Sequence, residues 1–90
     1  METLMESTPS VLMPLSDCRP GELVTVSGFS GDTEMQNRLE AVGIFKGRAF
    51  RVFRSSARSG AIVDSDDMRL ALDRDVAGKI LVRRSGHSLG

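Results

Sequence analysis

The stretch Glu22-Leu23-Val24-Thr25-Val26-Ser27-Gly28-Phe29-Ser30-Gly31-Asp32-Thr33-Glu34-Met35-Gln36-Asn37-Arg38-Leu39-Glu40-Ala41-Val42-Gly43 changes its hydrophobic period in mid-course, and that change decides the fold. From Glu22 to Phe29, Val24 and Val26 alternate with Leu23, Thr25 and Ser27, and the β-branched content is high. That pattern predicts a strand. Ser30-Gly31-Asp32 reads as a loop. From Thr33 to Val42 the period lengthens. Met35, Leu39 and Val42 fall at i, i+4 and i+7, one apolar stripe of a helix. Thr33-x-x-Gln36 fits a capping box, and Glu34 is placed well for the helix dipole. Gly43 stands where a left-handed C-terminal cap is expected. At nine or ten residues this helix is too short to be stable alone, so it must pack on something.

Working outward, the remaining segments supply a sheet. Arg48 to Ser55 places Phe50 and Val52 at alternating positions. Ser56-Ala57-Arg58-Ser59-Gly60 is a connecting loop, Ala61 to Asp64 a short strand, and Ser65-Asp66-Asp67 a turn. Met68, Leu70 and Leu72 alternate with Arg69 and Ala71. Asp73-Arg74-Asp75 turns the chain, with room for a single helical turn. Lys79 to Arg84 is the last strand, with Ile80 and Val82 on one face. Upstream, Asp17-Cys18-Arg19-Pro20-Gly21 reads as a turn. Residues 1–13 read as a flexible N-terminal tail broken by Pro9, residues 14–84 as the domain, and residues 85–90 as a C-terminal tail. The fold class is therefore mainly β: a small five-stranded barrel with one short α-helix inserted after the first strand. The expected core is Val24, Val26, Leu39, Val42, Phe50, Val52, Leu70, Leu72, Ile80 and Val82.

Composition narrows the function. Ninety residues allow one domain. One Cys, Cys18, rules out an intramolecular disulfide and an all-Cys zinc site, and one His, His87, rules out a His-rich cluster. Ser16, Ser55 and Ser56 have no histidine to activate them, and there is no Walker-type phosphate loop. Enzymatic activity is not expected. No apolar run is long enough to span a bilayer, and the first fourteen residues carry no Lys or Arg, which a secretory signal would need. The expected compartment is the cytoplasm.

Charge balances overall, with twelve Lys+Arg against twelve Asp+Glu, but not along the chain. Residues 1–43 hold two basic and seven acidic groups, whereas residues 44–90 hold ten basic and five acidic groups. The basic half contains a run of Arg48, Arg51, Arg54 and Arg58 on and after one predicted strand. If Phe50 and Val52 point inward, Arg51 and Phe53 share the outer face. Arginine beside an exposed aromatic resembles a protein-binding patch, and Arg51, Phe53, Arg54 and Arg58 are the candidate partner-binding residues. A solvated edge with Phe53 covered by a tail or loop is the plainer alternative. Single-stranded nucleic acid is not the expected partner, because the stacking residues are too few. Asp64-Ser65-Asp66-Asp67 reads as a polar turn rather than a hard-cation site. Cys18 and His87 lie in opposite terminal segments and do not make a metal site. No metal, cofactor or catalytic residue is expected.

Several segments, taken in order, resemble the FeoA domain family of bacterial ferrous iron transport. Met13-Pro14-Leu15-Ser16-Asp17-Cys18-Arg19-Pro20-Gly21-Glu22 looks like the family's opening. Arg38-Leu39-Glu40-Ala41-Val42-Gly43-Ile44 is similar to its helix end, and Gly47 to the glycine that follows. Arg69-Leu70-Ala71-Leu72 resembles its x-L-A-L strand, and Ala77-x-x-Ile80-x-Val82 its closing pattern. The resemblance covers roughly 13–84.

That resemblance implies an SH3-like barrel and a cytoplasmic accessory role beside FeoB, the membrane permease with a GTP-binding domain, through protein–protein contact. Membrane contact would come only through the permease, and the sequence assigns no oligomeric state. Two other readings stay open. One is the detached SH3-like C-terminal domain of a metal-dependent transcriptional repressor; the other is a small RNA-binding barrel.

Overall fold

The computed structural model describes residues 12–84. The terminal tails expected at 1–11 and 85–90, and His87 with them, lie outside the described residues. Six antiparallel strands form one sheet: β1 (Leu12–Pro14), β2 (Leu23–Phe29), β3 (Ala49–Ser56), β4 (Gly60–Ser65), β5 (Met68–Leu72) and β6 (Ile80–Arg84). Their spatial order is β1-β6-β2-β3-β4-β5. The expected mainly-β fold with one short inserted helix is what the chain adopts. The strand count is six rather than five, and the curled sheet is not closed, because β1 and β5 remain as edges. The extra strand, β1, pairs Leu12 with Arg83, Met13 with Val82 and Pro14 with Leu81. Three residues show no alternation, so nothing local announces this strand.

Helix α1 (Thr33–Ala41) follows β2, and a single turn, α2 (Arg74–Ala77), follows β5. The N-terminal cap of α1 is Asp32, not the expected Thr33 box. The Asp32 carboxylate accepts the Met35 N–H at 2.9 Å, and the Gln36 side chain turns away to donate to Glu40. Asp and Ser/Thr compete for the same orphan N–H groups, and the residue one position earlier has the extended backbone a cap requires. Asp73 caps α2 in the same way through the Val76 N–H.

At its other end α1 closes with Gly43 at φ +102°, as expected. The Gly43 N–H reaches the Glu40 carbonyl and the Ile44 N–H reaches the Leu39 carbonyl, a Schellman pair. This cap explains one wrong core residue. Val42, the last member of the stripe, is the C-cap and is half exposed; Ile44, carried inward by the left-handed glycine, is buried beside Leu39.

Val24, Val26, Phe50, Val52, Ile80 and Val82 are buried as expected, while Leu70 and Leu72 are only partly buried on the edge strand. Leu15, Cys18, Ala61, Val63 and Ala77 complete the core. Burial pushes the Cys18 thiol up to about 11, Glu22 adding to the effect. Its Sγ faces the Pro14 carbonyl at 3.8 Å.

Candidate protein-binding face

The face is built on β3. Phe50 and Val52 point into the core, so parity sends Arg51 outward. Strict alternation would turn Arg54 inward. A bulge prevents it: Val52 pairs with Val63 but Arg54 with Ile62, which leaves Phe53 as the extra residue. Ser55 takes the inward position instead, and its hydroxyl donates to the Cys18 carbonyl. Arg51, Phe53 and Arg54 therefore all lie exposed, and Arg58 projects from the tip between β3 and β4.

Phe53 is 46% exposed. The other part of its ring is covered by Arg69 of β5, whose guanidinium carbon stands 4.2 Å from the ring centroid. Asp64 of β4 holds Arg69 there through two contacts, 2.6 and 3.3 Å. The charge-assisted bonds to Asp64 push the Arg69 pKa further up, and the guanidinium, cationic like any arginine, faces the ring. Asp64 also stands opposite Arg51 in the β3–β4 register, yet its carboxylate is spent on Arg69. Arg51, Arg54 and Arg58 consequently have no ion-pair partner among the described residues. Sequence reasoning missed Arg69 and Asp64. Only the β4–β5 register brings them to Phe53, although an acidic and a basic residue flanking a tight turn could have suggested the pair.

Arg48, counted in the basic run, does a different job. Its guanidinium donates to Asp67 and to the Ser65 hydroxyl at 2.9 Å each, and to the Gly43 carbonyl at 3.4 Å. It also lies over the rings of Phe45 and Phe50, 5.7 and 5.3 Å from their centroids. It ties the cap of α1 to the β4–β5 turn. The hydrogen bond from Ser65, the turn's backbone and the Arg48 charge lower the Asp67 pKa. The Asp64–Asp67 segment is thus divided between two arginines, Arg69 and Arg48, as a polar turn would be.

A shallow groove of about 630 Å³ runs beside this face. Leu23, Arg48, Ala49, Arg51, Asp64 and Asp67 are among the residues that line it. Among the described residues no three His, Cys, Asp or Glu side chains gather as metal ligands. No described helix is long and apolar enough to cross a membrane. What the face offers chemically is an aromatic ring, a guanidinium stacked on it, and three positive charges with no ion-pair partner among the described residues, which suits an acidic protein surface with an apolar projection.

The model of one family matches nearly all of the described chain: the FeoA domain, over residues 13–84. The crystal structure of an iron uptake regulatory protein, FeoA, superposes with a TM-score of 0.73 at 26% identity, covering 82% of this chain and 99% of that one. The solution structure of the FeoA protein from Chlorobium tepidum gives the same TM-score at 24% identity, covering 87% of this chain and 75% of that one. A manganese-dependent transcriptional repressor shares the fold at TM-score 0.73 and 25% identity, but there the chain spans only 44% of the longer protein. No curated protein matches by sequence.

Proposed function

The chain belongs to the FeoA domain family, with an SH3-like fold, and from that premise we propose that it is a non-enzymatic, cytoplasmic accessory protein of ferrous iron transport. It acts by contact with the GTPase domain of a FeoB-type permease, and it meets the membrane only through that partner. The observation that carries the contact is the β3 face, where Phe53 stays half exposed beside Arg51, Arg54 and Arg58. A surface aromatic stiffened by a stacked arginine loses little entropy on docking, which is how interface anchors act. The exposed arginines steer the approach of an acidic surface and form the rim.

The test is a titration of the isolated GTPase domain into this protein by calorimetry, beside a polynucleotide control. Binding to the GTPase domain, weakened by salt, supports the reading. Salt-sensitive binding to the polynucleotide alone would favour the RNA-binding barrel instead. The repressor likeness is a likeness of fold. A detached effector module of that kind would bind neither ligand.

A further inference from the structure

The two edges of the sheet are protected very differently. The β1 edge is three residues long and ends at Pro14, which has no N–H to offer. The β5 edge, Met68-Arg69-Leu70-Ala71-Leu72, has no proline, no lysine and no bulge; its register with β4 is unbroken. Its one charge does not guard the edge either, since Arg69 is drawn over the sheet by Asp64 and Phe53.

The register states which main-chain groups this edge presents. Ser65 and Met68 close a two-residue hairpin, so they form a hydrogen-bonded pair, and bonded and non-bonded pairs alternate from there. Met68, Leu70 and Leu72 direct their N–H and C=O groups to β4. Arg69 and Ala71, both exposed, direct theirs away from it. Among the described residues nothing pairs with those four groups.

We propose that a second copy of this chain adds to β5 as an antiparallel strand, with the twofold axis through Leu70. Three registers can join the outward groups of two β5 strands. An axis through Arg69 forms only one bonded pair, because Ala71 then falls opposite turn position 67 of the other copy. An axis through Ala71 forms one bonded pair and runs off the strand end. An axis through Leu70 pairs Arg69 with Ala71 of the partner subunit and Ala71 with Arg69 of the partner subunit. All four groups on each chain are then satisfied, with no like charges opposed, and the two Leu70 side chains meet on the inner face. A formal net charge of zero leaves no overall repulsion between copies. The contact is isologous, so it closes as a dimer rather than a fibre. It leaves the outer face of β3 free and does not rest on the permease reading.

A contact made by one short strand pair falls at the small, weak end of specific interfaces, so dissociation is expected at a concentration on the order of 10⁻⁴ M. Sedimentation equilibrium across that concentration, with amide hydrogen exchange on the same samples, tests it. A monomer–dimer equilibrium in which the Arg69 and Ala71 amides gain protection with concentration is expected. Ala71→Lys puts a lysine opposite Arg69 of the partner subunit at both ends of the contact and should weaken the dimer about 5- to 30-fold. Arg54→Glu, on the outer face, should leave it unchanged. A monomer at every concentration with fast-exchanging amides overturns the proposal. So does a monomer in which those amides are already protected, which would mean that the chain's own terminal residues cover the edge. A dimer that survives Ala71→Lys but yields to Arg54→Glu also overturns it.

Discussion

Replacing Gly60 by alanine should be far more damaging than replacing Gly43, although the two have almost the same backbone angle, φ +100° and +102°. The common part of the penalty is conformational. A Cβ at positive φ costs roughly 1–3 kcal/mol. The surroundings then separate the sites. At Gly43 an added Cβ would meet Arg48 Nη1 and Met68 Sδ at 3.3 Å, both near the far ends of flexible side chains that can give way. At Gly60 it would stand 2.0 Å from the Leu72 carbonyl oxygen, 2.7 Å from Asp73 C and 2.9 Å from Arg74 N. These are main-chain atoms of the turn that leads from β5 into α2, and no rotamer change moves them. Gly43→Ala should therefore cost about 1–3 kcal/mol. Gly60→Ala should exceed about 4 kcal/mol, most of what a domain this small has to lose. Urea unfolding followed by far-ultraviolet circular dichroism measures both. Equal losses at the two sites would refute the reasoning, because they would show that the β5–α2 turn does not press on Gly60.

Other outcomes follow from the same geometry. Leu39→Ala, which empties a buried position behind the α1 cap, should cost about 2–5 kcal/mol in the same unfolding assay; a loss below about 0.5 kcal/mol would place Leu39 at the surface. The lowered Asp67 pKa means that the folded state favours the carboxylate. Its contribution to stability is present above the unfolded carboxylate pKa and is lost as pH falls through the folded value, so Asp67→Asn should flatten the acid limb of a stability-against-pH curve. The Cys18 thiol, buried and raised to about 11, should react slowly with iodoacetamide at mildly alkaline pH and rapidly once the chain is unfolded in urea; mass spectrometry showing equal rates would contradict its burial.

The sequence carried the parts of this fold that are set within a few residues. The β2 alternation, the Met35–Leu39 stripe and the left-handed Gly43 all depend on local spacing, and all three are found. What it did not carry depends on distant partners or on which of two adjacent residues wins. Val42 continued the helical period but lost its inward place to Ile44, because the glycine cap reverses the chain there. Asp32 and Thr33 are both competent caps, and only the backbone angles chose between them. Strand β1 exists because β6 is beside it. The candidate face divides in the same way. Arg51 and Phe53 were placed outward by parity with Phe50 and Val52. Arg54 reaches that face through a bulge that no residue type announces, and Arg69 reaches it through the β4–β5 register. Arg48 looked like its neighbours in a basic run and is instead committed to Asp67, Ser65 and Gly43.

The β3 face is proposed to dock the GTPase domain of a FeoB-type permease. Amide chemical shifts of the isotopically labelled protein, recorded as that domain is added, test it residue by residue. The largest changes are expected at Arg51, Phe53, Arg54, Arg58 and Arg69, and Phe53→Ala should weaken the interaction by about 1 kcal/mol or more without unfolding the chain. Changes centred instead on the exposed side of α1, at Glu34, Asn37 and Glu40, with Phe53→Ala binding as wild type does, would contradict it.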